Sequence, residues 1–200
     1  MKSRIELGLV GATMVAVLIW SSSGKAADTS GHFAIERIGQ VTCGTFSAAK
    51  TARNPAFDAM LNFAEGYLTA ANRYEPNTYD LSPWHTKGGL GIILDGYCHV
   101  HGSDHFVAAL EKMVTAMRPI RLAEYSPSIS FVAGSKKANA YQAILKRAQN
   151  VLHRQGRFNG VEDGRDSPQF RDALRAFQVS AKLEPTGLPD SATLWELLNP

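Results

Sequence analysis

Three histidines, His99, His101 and His105, crowd one short stretch directly after Cys98. Clustered imidazoles act as metal ligands when their spacing lets them converge, and as charge switches near pH 6.5. Here the spacing straddles a loop and a helix start and brings no free thiolate or carboxylate with it. The readings that remain are a polar loop or a pH-responsive charge cluster, and no metal or cofactor is expected. Glu65, Glu75 and Asp80 are the carboxylates that sugar hydrolysis would need as a pair, but nothing in their spacing brings two together. The chain has no Gly-x-Ser-x-Gly elbow and no Gly-x-x-x-x-Gly-Lys phosphate loop. No catalytic residue is assigned, and the chain is read as non-enzymatic.

Residues suited to recognition lie near the C-terminus. Arg171 and Arg175 are four apart, on the face of a helix opposite its apolar stripe. A guanidinium fork there can grip a carboxylate. Trp195 points away from the Leu194, Leu197 and Leu198 face, so its ring can lie against a sugar or a peptide. Gln178 offers a donor and an acceptor. Each has a plainer alternative: a solvated helix face for the arginines, packing on the preceding domain for Trp195, and bracing of a loop for Gln178.

The elements that must position these groups begin after a leader. Lys2 and Arg4 precede an apolar run from Leu7 to Trp20, followed by Ser21, Ser22, Ser23, Gly24, Lys25 and Ala26. A basic start, a greasy centre and small residues before a cut form a secretory signal peptide, here 1–26. The run is shorter than the roughly 18–20 residues of a membrane span, so no membrane attachment is expected once the leader is removed. The leader carries much of the net charge of +3, and the remaining cations are interspersed with acids. No basic stripe of the kind that holds nucleic acid is present. In an exported chain, Cys43 and Cys98 read as a disulfide; closing that loop contributes about 4 kcal/mol in chain-entropy terms.

Residues 27–120 read as a helical domain. Asn54-Pro55 starts a helix whose face is Phe57, Met60, Leu61, Ala64, Tyr67, Leu68 and Ala71. A short helix is expected at 42–50, another at 88–98, and a last one capped by Ser103 and stopped by Pro119. The disulfide then ties the first helix to the end of the third. Residues 121–138 lack helical periodicity and read as a linker. Residues 139–200 form a second domain. Its first helix carries Tyr141, Ile144, Leu145, Ala148, Val151 and Leu152; Ser167-Pro168 and Asp190 start the next two. An internal echo runs through it: Gly164 is followed by Phe170 and Leu174 at the same offsets as Gly187 by Thr193 and Leu197.

That second domain resembles the peptidoglycan-binding domain found on many bacterial cell-wall proteins. The likeness rests on Leu152, Gly156, Phe158, Asp163-Gly164, the run Ala173 to Gln178, Thr186-Gly187, Asp190, Thr193 and Leu197. It implies a small three-helix fold with peptidoglycan as partner, with Arg171, Arg175, Gln178 and Trp195 as the candidate contact residues. Residues 40–118 resemble the HdeA-like periplasmic acid-stress chaperones, through Thr42-Cys43-Gly44-Thr45-Phe46, Gly66-Tyr67-Leu68 and Tyr97-Cys98. This second resemblance implies a non-enzymatic domain that binds unfolded or envelope proteins. Together they give an all-α protein of the periplasm or cell envelope: a disulfide-linked bundle tethered near the wall by a non-catalytic binding module. Two other functions fit the same residues, a wall hydrolase with its active site in the bundle and a protein–protein docking module.

Overall fold

The computed structural model describes residues 27–199; the expected leader, 1–26, lies outside them. The chain divides into two units, Met1–Ala34 and Ile35–Pro200. Every helix and strand described below belongs to the second.

A short 3-10 turn at Arg37–Gln40 leads into four helices: α1 (Cys43–Thr51), α2 (Pro55–Tyr74), α3 (Lys87–Cys98) and α4 (Phe106–Met117). Three start on side-chain caps that accept an otherwise orphaned amide: Thr42 from Thr45, Asn54 from Ala56, and Thr86 from Gly89. The fourth does not. Ser103 is expected to cap α4, but His105 occupies that position and makes no side-chain cap. Backbone pairing sets the start of α4 instead. Phe106 N–H donates to the Val41 carbonyl and Cys43 N–H to the Asp104 carbonyl, both at 2.8 Å, so the chain entering α4 lies antiparallel to the chain entering α1.

The four helices enclose one core. Phe46 stacks on Phe106 at 4.8 Å and tilts against Phe57 at 5.3 Å. Leu61, Leu68, Leu90, Leu94 and Leu110 fill the space around them. Cys43 at the start of α1 is bonded to Cys98 at the end of α3, Cα atoms 4.6 Å apart. The disulfide joins the expected pair of helices.

Residues 121–138, expected as a linker, hold most of an ordered hairpin that continues to Tyr141. β1 (Ser128–Ala133) pairs antiparallel with β2 (Lys136–Tyr141), Ala133 opposite Lys136 and Phe131 opposite Ala138. Gly134 takes φ +60 in the two-residue turn, a conformation glycine adopts without steric cost. The strands hold their place because Phe131, Ala138 and Ala140 are buried on one face. They pack on a second core built by α5 (Gln142–Arg154), α6 (Pro168–Ser180) and α7 (Ser191–Leu198). Ser167 and Asp190 cap α6 and α7, as the spacing predicts. The fold is therefore mainly helical, with this hairpin as its one sheet among the described residues.

The second core reaches back into the bundle half of the chain. Trp84, from the loop between α2 and α3, and Leu122 are buried in it. Leu122 also exchanges backbone hydrogen bonds with the Asp80 region. The bundle and the C-terminal module thus share one compact unit rather than hanging on a flexible tether. No described helix is long and apolar enough to cross a membrane.

Candidate functional site

Two buried glutamines explain how the C-terminal module holds its loops. Gln149 on α5 accepts from Gly164 N–H at 2.7 Å and donates to the Arg165 carbonyl at 3.0 Å. Gln178 on α6 accepts from Gly187 N–H at 2.8 Å and donates to the Leu188 carbonyl at 3.0 Å. Gly164 and Gly187 both have positive φ, +74 and +69. The echo in the sequence is therefore a repeated device: a helix glutamine clamps the left-handed glycine of the loop that follows. Gln178 also donates to Thr193 Oγ1 at 2.8 Å, which ties α6 to α7. It is fully buried. Of its two expected roles, the loop brace is the one observed. Gln149 is the residue that sequence reasoning missed, and its signal was the same glycine echo read one helix earlier.

Arg171 and Arg175 lie together, as their spacing requires, and line a shallow cleft of about 350 Å³ with Asp166, Ser167, Pro168 and Asp172. Their availability differs. Arg171 grips Asp166 through both carboxylate oxygens, at 2.8 and 2.6 Å, and donates to the Val132 carbonyl at 2.7 Å. Its guanidinium also sits 5.4 Å over the Phe131 ring. The Asp166 hydrogen bonds favour its charged form and raise its pKa. The fork is thus committed to fastening the hairpin onto α6 and is not free for an incoming carboxylate. Arg175 is more exposed and holds only Asp172, at 3.3 Å. It is the available cation of this pair.

Trp195 lines a different cleft, with Trp84, Thr86, Gly89 and Glu196. Its ring meets His85 edge-on at 5.3 Å, and His85 stacks on Trp84 at 5.2 Å. The four expected contact residues therefore do not form one surface. Two share a cleft, one is core, and Trp195 packs on the bundle. Within the aromatic stack, the Trp84 Nε1 and His85 Nδ1 atoms are buried without a hydrogen-bond partner. Burial pushes the His85 pKa down to about 4, opposed only in part by the charge of Asp80 and the backbone of Ser82.

The other chemically suggestive residues hold structure. His101 stacks on Tyr97 at 4.3 Å, and His105 Nδ1 lies 2.8 Å from the Gln40 carbonyl. Among the described residues, no three His, Cys, Asp or Glu side chains converge as a metal-binding group. Glu75 is held by the Arg118 fork at 3.0 and 2.7 Å, which keeps its carboxyl below the usual range. Asp80 caps its own turn by accepting from Ser82 N–H at 2.9 Å.

No curated protein and no solved structure matches this chain. A family does. Residues 142–197, the span of α5, α6 and nearly all of α7 with both glutamine clamps, match the family described as "Putative peptidoglycan binding domain".

Proposed function

We propose that this protein is an exported, non-catalytic cell-wall protein that binds peptidoglycan through its C-terminal module and holds the disulfide-linked bundle beside the wall. The observation that carries this reading is the family match over residues 142–197. The clamped loops of that module support it, because a recognition surface needs loops fixed by a rigid scaffold. A wall contact of even modest affinity would raise the local concentration of the bundle at its place of work. For the bundle we propose a chaperone-like role toward unfolded or envelope proteins, supported by the resemblance of residues 40–118 to the HdeA-like family.

The test is co-sedimentation of residues 27–200 with purified sacculi. Recovery in the pellet, reduced severalfold by Arg175→Ala, is the expected result. A protein that stays in the supernatant at both low and moderate salt overturns the wall-binding reading and turns the search to protein partners. Release of soluble fragments from the sacculi would instead favour the hydrolase reading.

A further inference from the structure

A cleft of about 620 Å³ runs along the seam between the bundle and the C-terminal module. One wall is α5 with Lys146, Arg147 and Arg154; Arg147 and Arg154, two turns apart, share a helix face, and Lys146 flanks them. The floor is apolar and comes from elsewhere in the chain: Trp84 before α3, Ile120 after α4, and Leu198 at the end of α7.

The charge of this cleft is unbalanced. Its one carboxylate, Glu162, is already engaged, accepting from Asn150 Nδ2 at 2.9 Å and lying 2.6 Å from His153 Nδ1. Arg147 gives its guanidinium to the Ile120 and Arg121 carbonyls, which are neutral. Burial without a counter-charge lowers its pKa. Among the described residues, no ion pair joins Lys146, Arg147 or Arg154 to an acid. A cation half withdrawn from water gains most from a charge-assisted partner.

We propose that this seam cleft binds a short peptide bearing a free carboxylate, the cationic wall of α5 taking the carboxylate and the Trp84–Ile120–Leu198 floor taking small apolar side chains. Its size is that of small-molecule sites, roughly 300–1,000 Å³, which suits a few residues of peptide and not a folded partner. The apolar floor disfavours a bare inorganic anion, which would leave that floor unused. This inference rests on the peptidoglycan reading and deepens it: the ligand is the peptide stem of the wall rather than its sugar strand. It also gives the bundle a part in binding, since Trp84 and Ile120 come from that half of the chain.

The experiment titrates residues 27–200 with the soluble disaccharide-peptides that a muramidase releases from sacculi, followed by calorimetry. Saturable binding is expected, weakened about tenfold or more by Lys146→Glu/Arg154→Glu. Both positions are exposed, and circular dichroism confirms the fold of the variant. Fragments whose carboxylates have been amidated should bind the unaltered protein just as weakly. Glu162→Gln should tighten binding a fewfold, a gain that misfolding cannot imitate. Undiminished affinity in the charge-reversal variant overturns the proposal, as does equal affinity for amidated fragments or for glycan strands stripped of peptide. Sacculus pelleting of the same preparations separates the two possible failures. Protein that pellets but is indifferent to charge reversal leaves wall binding standing and removes the seam site. Protein that neither pellets nor binds fragments removes both.

Discussion

Gln178 and Gln149 carry more of the C-terminal module than their polar character suggests. Each is buried with both ends of its amide in use. Truncation strands a loop N–H and a carbonyl in a dry interior, and unsatisfied groups of that kind cost about 1–3 kcal/mol each. Gln178→Ala and Gln149→Ala are each expected to lower stability by roughly 2–4 kcal/mol, read as a shift of the urea midpoint at constant slope. A surface contact residue would lose affinity with no such shift. The two glycines these amides clamp, with Gly134 of the hairpin turn as an unclamped reference, give a graded series. A Cβ on Gly164 collides with the Gln142 carbonyl, one on Gly187 comes within 3.0 Å of the Arg175 side chain, and one on Gly134 meets nothing. All three have positive φ, so Gly134→Ala costs only backbone strain, about 1 kcal/mol. Gly187→Ala should cost more, because its Cβ lies 3.0 Å from the Arg175 guanidinium and 3.1 Å from the Arg171 carbonyl, and Gly164→Ala most, because its Cβ comes still closer to a backbone carbonyl. Equal urea midpoints across the three alanine variants would count against the clamps.

Between elements, the seam at His85 is a joint sensitive to acid. The ring lies between Trp84 of the α2–α3 loop and Trp195 of α7. Its pKa is about 4 in the folded protein against an ordinary 6.5. Between those values the unfolded chain binds the proton and the folded one does not, so stability rises with pH there. The contribution is fully present above about pH 6.5 and is lost as pH falls towards 4. Thermal unfolding is expected to move to lower temperature over that window, and His85→Phe should flatten the dependence. An unchanged pH profile in His85→Phe would remove His85 as the cause. The sequence points to His99, His101 and His105 for acid sensitivity because they are adjacent. The structure adds His85, which is desolvated by packing that spacing does not record.

Across the whole molecule, two cores within one compact unit set how the protein comes apart. The disulfide links α1 to α3 within the first core, while Trp84 and Leu122 belong to the second. Reduction, or a Cys43→Ser/Cys98→Ser variant, is expected to cost about 2–5 kcal/mol. Because the seam is shared, tryptophan fluorescence from Trp84 and Trp195 should shift in the same transition as the helical circular dichroism. Two well-separated transitions would show the halves to be independent. The same sharing argues for testing wall binding on residues 27–200, since a fragment starting at residue 139 would lack Phe131 and Trp84 from its core.

Local chemistry made much of this protein legible from its sequence. Asn54-Pro55, Ser167-Pro168 and Asp190 mark helix starts because a cap and a fixed φ act within a few residues. The apolar faces of α2, α4 and α5 follow from helical period. The echo around Gly164 and Gly187 marks the module that the family match bounds at 142–197. The hairpin is not read from the sequence: Ile129, Phe131 and Ala133 alternate before Gly134-Ser135, but a stretch with serines and two lysines also has the composition of a linker. What only the tertiary structure decided is which polar side chains remain free. Arg171 and Arg175 look equivalent on a helical wheel, yet one is consumed by Asp166 and the Val132 carbonyl. Gln178 looks like a ligand contact until packing buries it, whereas Trp195 lies against His85 and still lines a cleft. Residues distant in the chain supply those partners, so spacing along one helix carries no record of them. The seam cleft has the same origin: its wall is read from α5 alone, but its floor exists only because Trp84, Ile120 and Leu198 are brought to one place by the fold.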